Sequence, residues 1–99
     1  MIQKQRKYLD FITTKIQEHF ADKPNTQAFL FGSSIVRDHF GDVDIGIQGD
    51  IEKKDIMRLK EEFENSTFPF FVDIIDFDQV DDSFRNNVLQ NPVVWIKRS

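Results

Sequence analysis

Three aspartates and one glycine–serine turn are the residues of this chain whose types and spacing could do chemistry. Asp42 and Asp44 stand two apart in Asp42-Val43-Asp44-Ile45-Gly46-Ile47, where acidic or small residues alternate with branched apolar ones. Such alternation marks a half-buried strand, because successive side chains on a strand point to opposite faces. Val43, Ile45 and Ile47 then face a core, and Asp42 and Asp44 share the other face. Two carboxylates side by side repel each other unless a cation sits between them. Asp73 lies in a further apolar run about thirty residues on, after one helical stretch. A neighbouring strand would bring it beside the pair. Three converging carboxylates make a hard-oxygen set suited to Mg²⁺, which takes few protein ligands and completes its shell with water and substrate phosphates. That points to a nucleoside triphosphate more than to a structural ion.

The turn Gly32-Ser33-Ser34 follows the apolar run Ala28-Phe29-Leu30-Phe31. Gly32 lets the backbone come close to a phosphate in angles that other residues resist. Ser33 and Ser34 offer hydroxyl donors. A helical turn over Ser34 to Asp38 would aim backbone N–H groups at the same anion, and Arg37, one helical turn on, could reach it. His39, in a polar linker, reads as solvent-facing.

The elements that must hold these residues are legible in the periodicity. Leu9, Ile12, Ile16 and Phe20 recur at helical spacing and predict an amphipathic helix over about Ile2 to Phe20, ended before Pro24. Strands are predicted at about Gln27 to Phe31 and at Asp42 to Gln48. Gly49-Asp50 breaks the second, and Asp50 is placed to cap a helix running from about Ile51 to Glu64. A third strand is predicted over Phe68 to Phe77. It carries Phe70, Val72 and Ile74 on one side and Phe71, Asp73 and Ile75 on the other. Apolar residues on both faces suggest a position inside the sheet. Asp76 then points away from Asp73 and reads as structural. Asp78 is placed to cap a last helix with Val80, Phe84, Val88 and Leu89 as its buried stripe. Val93 to Ile96 predicts a short edge strand, with Trp95 in a core or an interface. The expected architecture is one α+β domain over residues 1–99, a small mixed β-sheet flanked by helices.

Composition sets the outer limits. Eleven phenylalanines and an apolar content of 39% supply a core. No apolar run approaches the roughly 18 residues of a membrane span. The polar start Met1-Ile2-Gln3-Lys4 lacks a signal-peptide core, and cysteine is absent, so disulfides and thiolate metal sites are excluded. A cytoplasmic protein with no membrane contact is expected. The formal charge of −4 argues against direct nucleic-acid binding, which favours a basic face. Self-association is left open.

The order of these pieces carries a resemblance. Leu30-Phe31-Gly32-Ser33, then Asp42-Val43-Asp44-Ile45-Gly46-Ile47, then Val72-Asp73-Ile74-Ile75-Asp76 resembles the minimal nucleotidyltransferases of the DNA polymerase beta-like superfamily. The resemblance implies a nucleotidyltransferase-like fold and transfer of a nucleotide from a triphosphate to a hydroxyl, with pyrophosphate leaving. It implies that Gly32 and Ser33 bind the triphosphate, that Asp42 and Asp44 hold Mg²⁺, and that Asp73 completes the site and helps activate the acceptor. Many members have an arginine where Val36 stands here, and Arg37 comes one place later. Members of this kind act as antitoxins beside HEPN-domain toxins. The resemblance therefore implies AMP transfer from ATP to a hydroxyl of such a partner. The alternative is a binding module of the same fold that neutralises its partner by association alone.

Overall fold

A computed structural model describes residues 3–32 and 42–98. The elements run α1 (Gln3–His19), β1 (Gln27–Phe31), β2 (Val43–Gln48), α2 (Lys53–Glu64), β3 (Val72–Asp76), α3 (Asp82–Leu89) and β4 (Val94–Lys97). The four strands form one sheet in the order β3-β2-β1-β4. β1 pairs antiparallel with β2 and with β4, whereas β2 and β3 are parallel. The parallel pair needs a crossover, and α2 supplies it. This is the mixed sheet of the α+β expectation.

Both faces of the sheet are packed. On the first, Val43, Ile45 and Ile47 of β2 join Ala28 and Leu30 of β1 and Val72 and Ile74 of β3. Ile12, Ile16 and Phe20 at α1 and Leu59 and Phe63 of α2 close over them. Each such side chain taken fully from water contributes about 1.5–3 kcal/mol. On the second face, Phe29, Phe31, Phe77 and Val88 form a smaller cluster, flanked by Ile75, Val80, Val93 and Trp95. Gly46 makes room for it. A Cβ there would stand 2.6 Å from Phe29 Cζ and 2.8 Å from Phe77 Cδ1, so any larger residue would push two core rings apart.

Several boundaries differ from the sequence reading. β3 is an edge strand, paired only with β2 among the described residues. Its apolar residues on both faces reflect the two cores rather than two strand neighbours. It also starts at Val72, not Phe68. Phe68 and Phe70 leave the ladder to pack on Tyr8 and Phe11 of α1. Asp50 does not cap α2. Glu52 is the N-cap, and its N–H donates to the Asp55 carboxylate at 2.9 Å. Asp78 does not cap α3 either. Asp81 does, accepting from the Phe84 N–H at 2.8 Å. Asp78 instead accepts from the Gly49 N–H at 2.9 Å. Of the stripe expected on α3, Val88 is buried, but Leu89 and Phe84 are exposed. Phe84 still lays its ring against Phe31 and Phe77.

A polar latch ties α1, α2 and β4 together at the Gln27 end of β1. Lys23 Nζ donates to Asp55 Oδ2 at 2.8 Å. His19 lies between two carboxylates, with Nδ1 2.9 Å from Glu62 and Nε2 3.4 Å from Asp55. Lys97 Nζ donates to the carbonyls of Lys23 and Thr26. Burial pushes the Asp55 carboxyl up, but the Lys23 hydrogen bond, the Glu52 N–H and the Lys23 charge outweigh it, and the net shift is downward. The lowered value means that Asp55 stabilises the fold above about pH 4, the ordinary aspartate range, and that this stability is lost as pH falls through the lowered value. Asp55→Asn is expected to cost about 2 kcal/mol at pH 7. Its melting temperature should also fall less steeply below pH 4 than that of the wild type. Thermal melts from pH 2 to pH 7 check both, and parallel acid limbs would refute the assignment.

Candidate functional site

The sheet brings two of the three aspartates to one place. In the parallel ladder Asp44 of β2 is in register with Asp73 of β3, and in the antiparallel ladder it is opposite Phe31 of β1. Neighbouring strands are about 4.8 Å apart, and side chains in register share a face. Asp44 and Asp73 therefore stand side by side on the second face, beside the end of the phenylalanine cluster. Both are half-buried. Asp42 immediately precedes β2 and is exposed.

Gly32 completes the contact from β1. It has φ +89°, the left-handed region, and a Cβ built on it would stand 2.5 Å from Asp44 Oδ2. The Asp44 carboxylate lies in the space that glycine leaves. The turn and the acid pair are thus one structure, joined through the missing side chain of Gly32. Ser33, Ser34 and Arg37, the other residues expected to grip phosphate, lie outside the described residues, as do His39 and the helical turn expected at Ser34 to Asp38.

The electrostatics follow from this placement. Burial pushes the Asp44 carboxyl up, and the charges of Asp73 and then Asp42 push it further. The charges of both other acids thus reach Asp44. Among the described residues no three His, Cys, Asp or Glu side chains are already gathered as a ligand set. The donor set is all carboxylate oxygen, which fits a hard divalent cation better than a transition metal.

A Gly turn abutting an Asp-x-Asp strand, with a third Asp in register on the next strand, is a recognisable constellation. The chain matches the family model for the polymerase beta nucleotidyltransferase domain over residues 14–99. It belongs to that family. No curated protein matches the chain. The nucleotidyltransferase function of the family comes here with the small α+β fold and mixed sheet described above. No helix among the described residues is long and apolar enough to cross a membrane.

Two cavities stand differently to the three aspartates. One, about 640 Å³, is an open depression lined by Lys15, His19, Arg58, Glu61, Glu62, Asn65 and Ser66. It touches none of the three aspartates. A smaller one, about 250 Å³, includes Phe31 and Gly32 in its wall and so adjoins the acids directly. No sequence pattern announces it, since its other lining residues come from α3 and the segment after it. Arg85 likewise belongs to no motif. It donates to the Phe77 carbonyl and to Gln48 Oε1, fastening α3 across the ends of β2 and β3.

Proposed function

We propose that this nucleotidyltransferase moves AMP from ATP to a hydroxyl of a partner protein, and that the partner is a HEPN-domain toxin which it neutralises. The observation that carries the reading is the register of Asp44 with Asp73, with Gly32 against the Asp44 carboxylate. On this reading Asp42, Asp44 and Asp73 hold Mg²⁺. The bound ion would neutralise phosphate charge and polarise the phosphoryl oxygens. Gly32, with Ser33, Ser34 and Arg37, orients the triphosphate. Asp73, on the strand that ends the sheet among the described residues, faces the acceptor and takes the proton of its hydroxyl. The hydroxyl oxygen forms a bond to the α-phosphorus as the bond to the β-phosphate bridging oxygen breaks, and pyrophosphate leaves. Positioning of this kind accounts for much of the rate that phosphoryl-transfer enzymes achieve.

The test is to incubate the protein with ATP, Mg²⁺ and a HEPN-domain protein encoded beside it. Intact-mass spectrometry should show the partner heavier by one AMP, and fragmentation should place it on a hydroxyl-bearing side chain. An unmodified partner, with ATP unconsumed, would sink the catalytic reading. A second reading has its own support, because the three acids are not gathered as a ready ligand set and Val36 replaces the expected arginine. There the protein acts by association alone. It predicts a complex that forms equally well in chelator and with Asp44→Asn, without any transfer.

A further inference from the structure

The cavity beside Gly32 has the chemistry of a base pocket. It is walled by Phe31 and Gly32 at the end of β1, by Asn87 and Val88 of α3, and by Asn91 and Pro92 just after it. Phe31, Val88 and Pro92 offer flat or compact apolar surface, and the two asparagines supply the polar groups. At about 250 Å³ it lies below the roughly 300–1,000 Å³ that encloses a whole drug-sized ligand. It suits one planar group of a nucleotide whose phosphates lie outside, toward Asp44.

The Asn91 amide is held in place rather than loose. Its Nδ2 donates to the Asn87 carbonyl at 2.7 Å, and its backbone N–H donates to the Val88 carbonyl at 3.1 Å. A carbonyl can only accept, so this hydrogen bond fixes which end of the amide is nitrogen. One side-chain N–H is used. Among the described residues the amide oxygen and the second N–H remain for a ligand, and an asparagine amide pairs a donor and an acceptor with the edge of adenine.

We infer that this cavity takes the adenine of the incoming nucleotide and that Asn91, with Asn87 beside it, reads the base. The inference rests on the nucleotidyltransferase reading above and adds to it the group that sets nucleotide choice. Calorimetric titration with ATP, GTP and inorganic triphosphate in Mg²⁺ tests it. Wild type should bind ATP more tightly than GTP. Asn91→Ala should weaken ATP by about tenfold, erase the preference over GTP and leave inorganic triphosphate unchanged. Adenosine alone, at millimolar concentration, should shift the side-chain amide resonances of Asn87 and Asn91 in the wild-type spectrum. That measurement does not depend on how the variant folds. An undiminished ATP preference in Asn91→Ala, or adenosine shifts elsewhere only, overturns the base pocket while leaving the transferase reading intact. Failure of wild type to bind any of the three phosphates overturns both.

Discussion

Asp44→Asn is expected to lower the rate of nucleotidyl transfer about 1,000-fold, on the order of 4 kcal/mol in the barrier, while raising the melting temperature. The two effects share one cause. Asp44 is half-buried beside Asp73, and burial and the neighbouring charges of Asp73 and Asp42 push its carboxyl up. A carboxylate whose folded value is raised above its unfolded one weakens the fold when ionised. The penalty is absent below about pH 4, the ordinary aspartate range, and builds as pH rises through the raised value. Asparagine keeps the shape and removes the charge. The variant should therefore melt a few degrees higher than wild type at pH 7 in chelator, a gain kept modest by solvent screening. The two melting curves should converge as pH is lowered toward 3. Millimolar Mg²⁺ should stabilise the wild type and leave the variant unmoved. Calorimetric melts with and without Mg²⁺ at two pH values check all of this. A variant that melts lower than wild type in chelator would show that the three acids do not strain the site.

Gly32→Ala is the second large effect. The backbone at Gly32 has φ +89°, where a side chain costs about 1–2 kcal/mol. The new methyl would also stand 2.5 Å from Asp44 Oδ2 and 3.5 Å from Asp44 Cγ. Either the turn or the carboxylate must move. A displacement of about 1 Å at a reacting centre can cost on the order of a hundredfold in rate, and that loss is expected in kcat. Stability should fall by about 1–2 kcal/mol, so most of the protein stays folded at 25 °C. Steady-state kinetics beside a thermal melt separate the two. Full activity in Gly32→Ala would mean that this contact does not set where Asp44 points.

The legible parts of the sequence were those governed by local period. The alternation from Asp42 to Ile47 placed Val43, Ile45 and Ile47 in the first core and left Asp44 on the opposite face, and the same parity put Asp73 beside it. Edge or centre was not legible for β3. Burial of both faces and pairing on both sides are independent properties, and here the second core imitates a second strand neighbour. The helix starts are not legible in the sequence because several acids compete at each one. Glu52 wins over Asp50 through the reciprocal contact with Asp55, and Asp81 wins over Asp78 because Asp78 answers a long-range donor at Gly49. The Gly32 contact with Asp44 and the pinned amide of Asn91 are products of tertiary folding, with no local pattern to announce them.

The latch of Lys23, Asp55, His19 and Lys97 sits at the Gln27–Gln48 end of the central ladder, whereas the acids sit at the Phe31–Asp44 end. The polar latch and the candidate acid site are thus housed at opposite poles of the same two strands. A lineage carrying this fold could lose its chemistry by a single substitution at one pole and still inherit an undamaged scaffold.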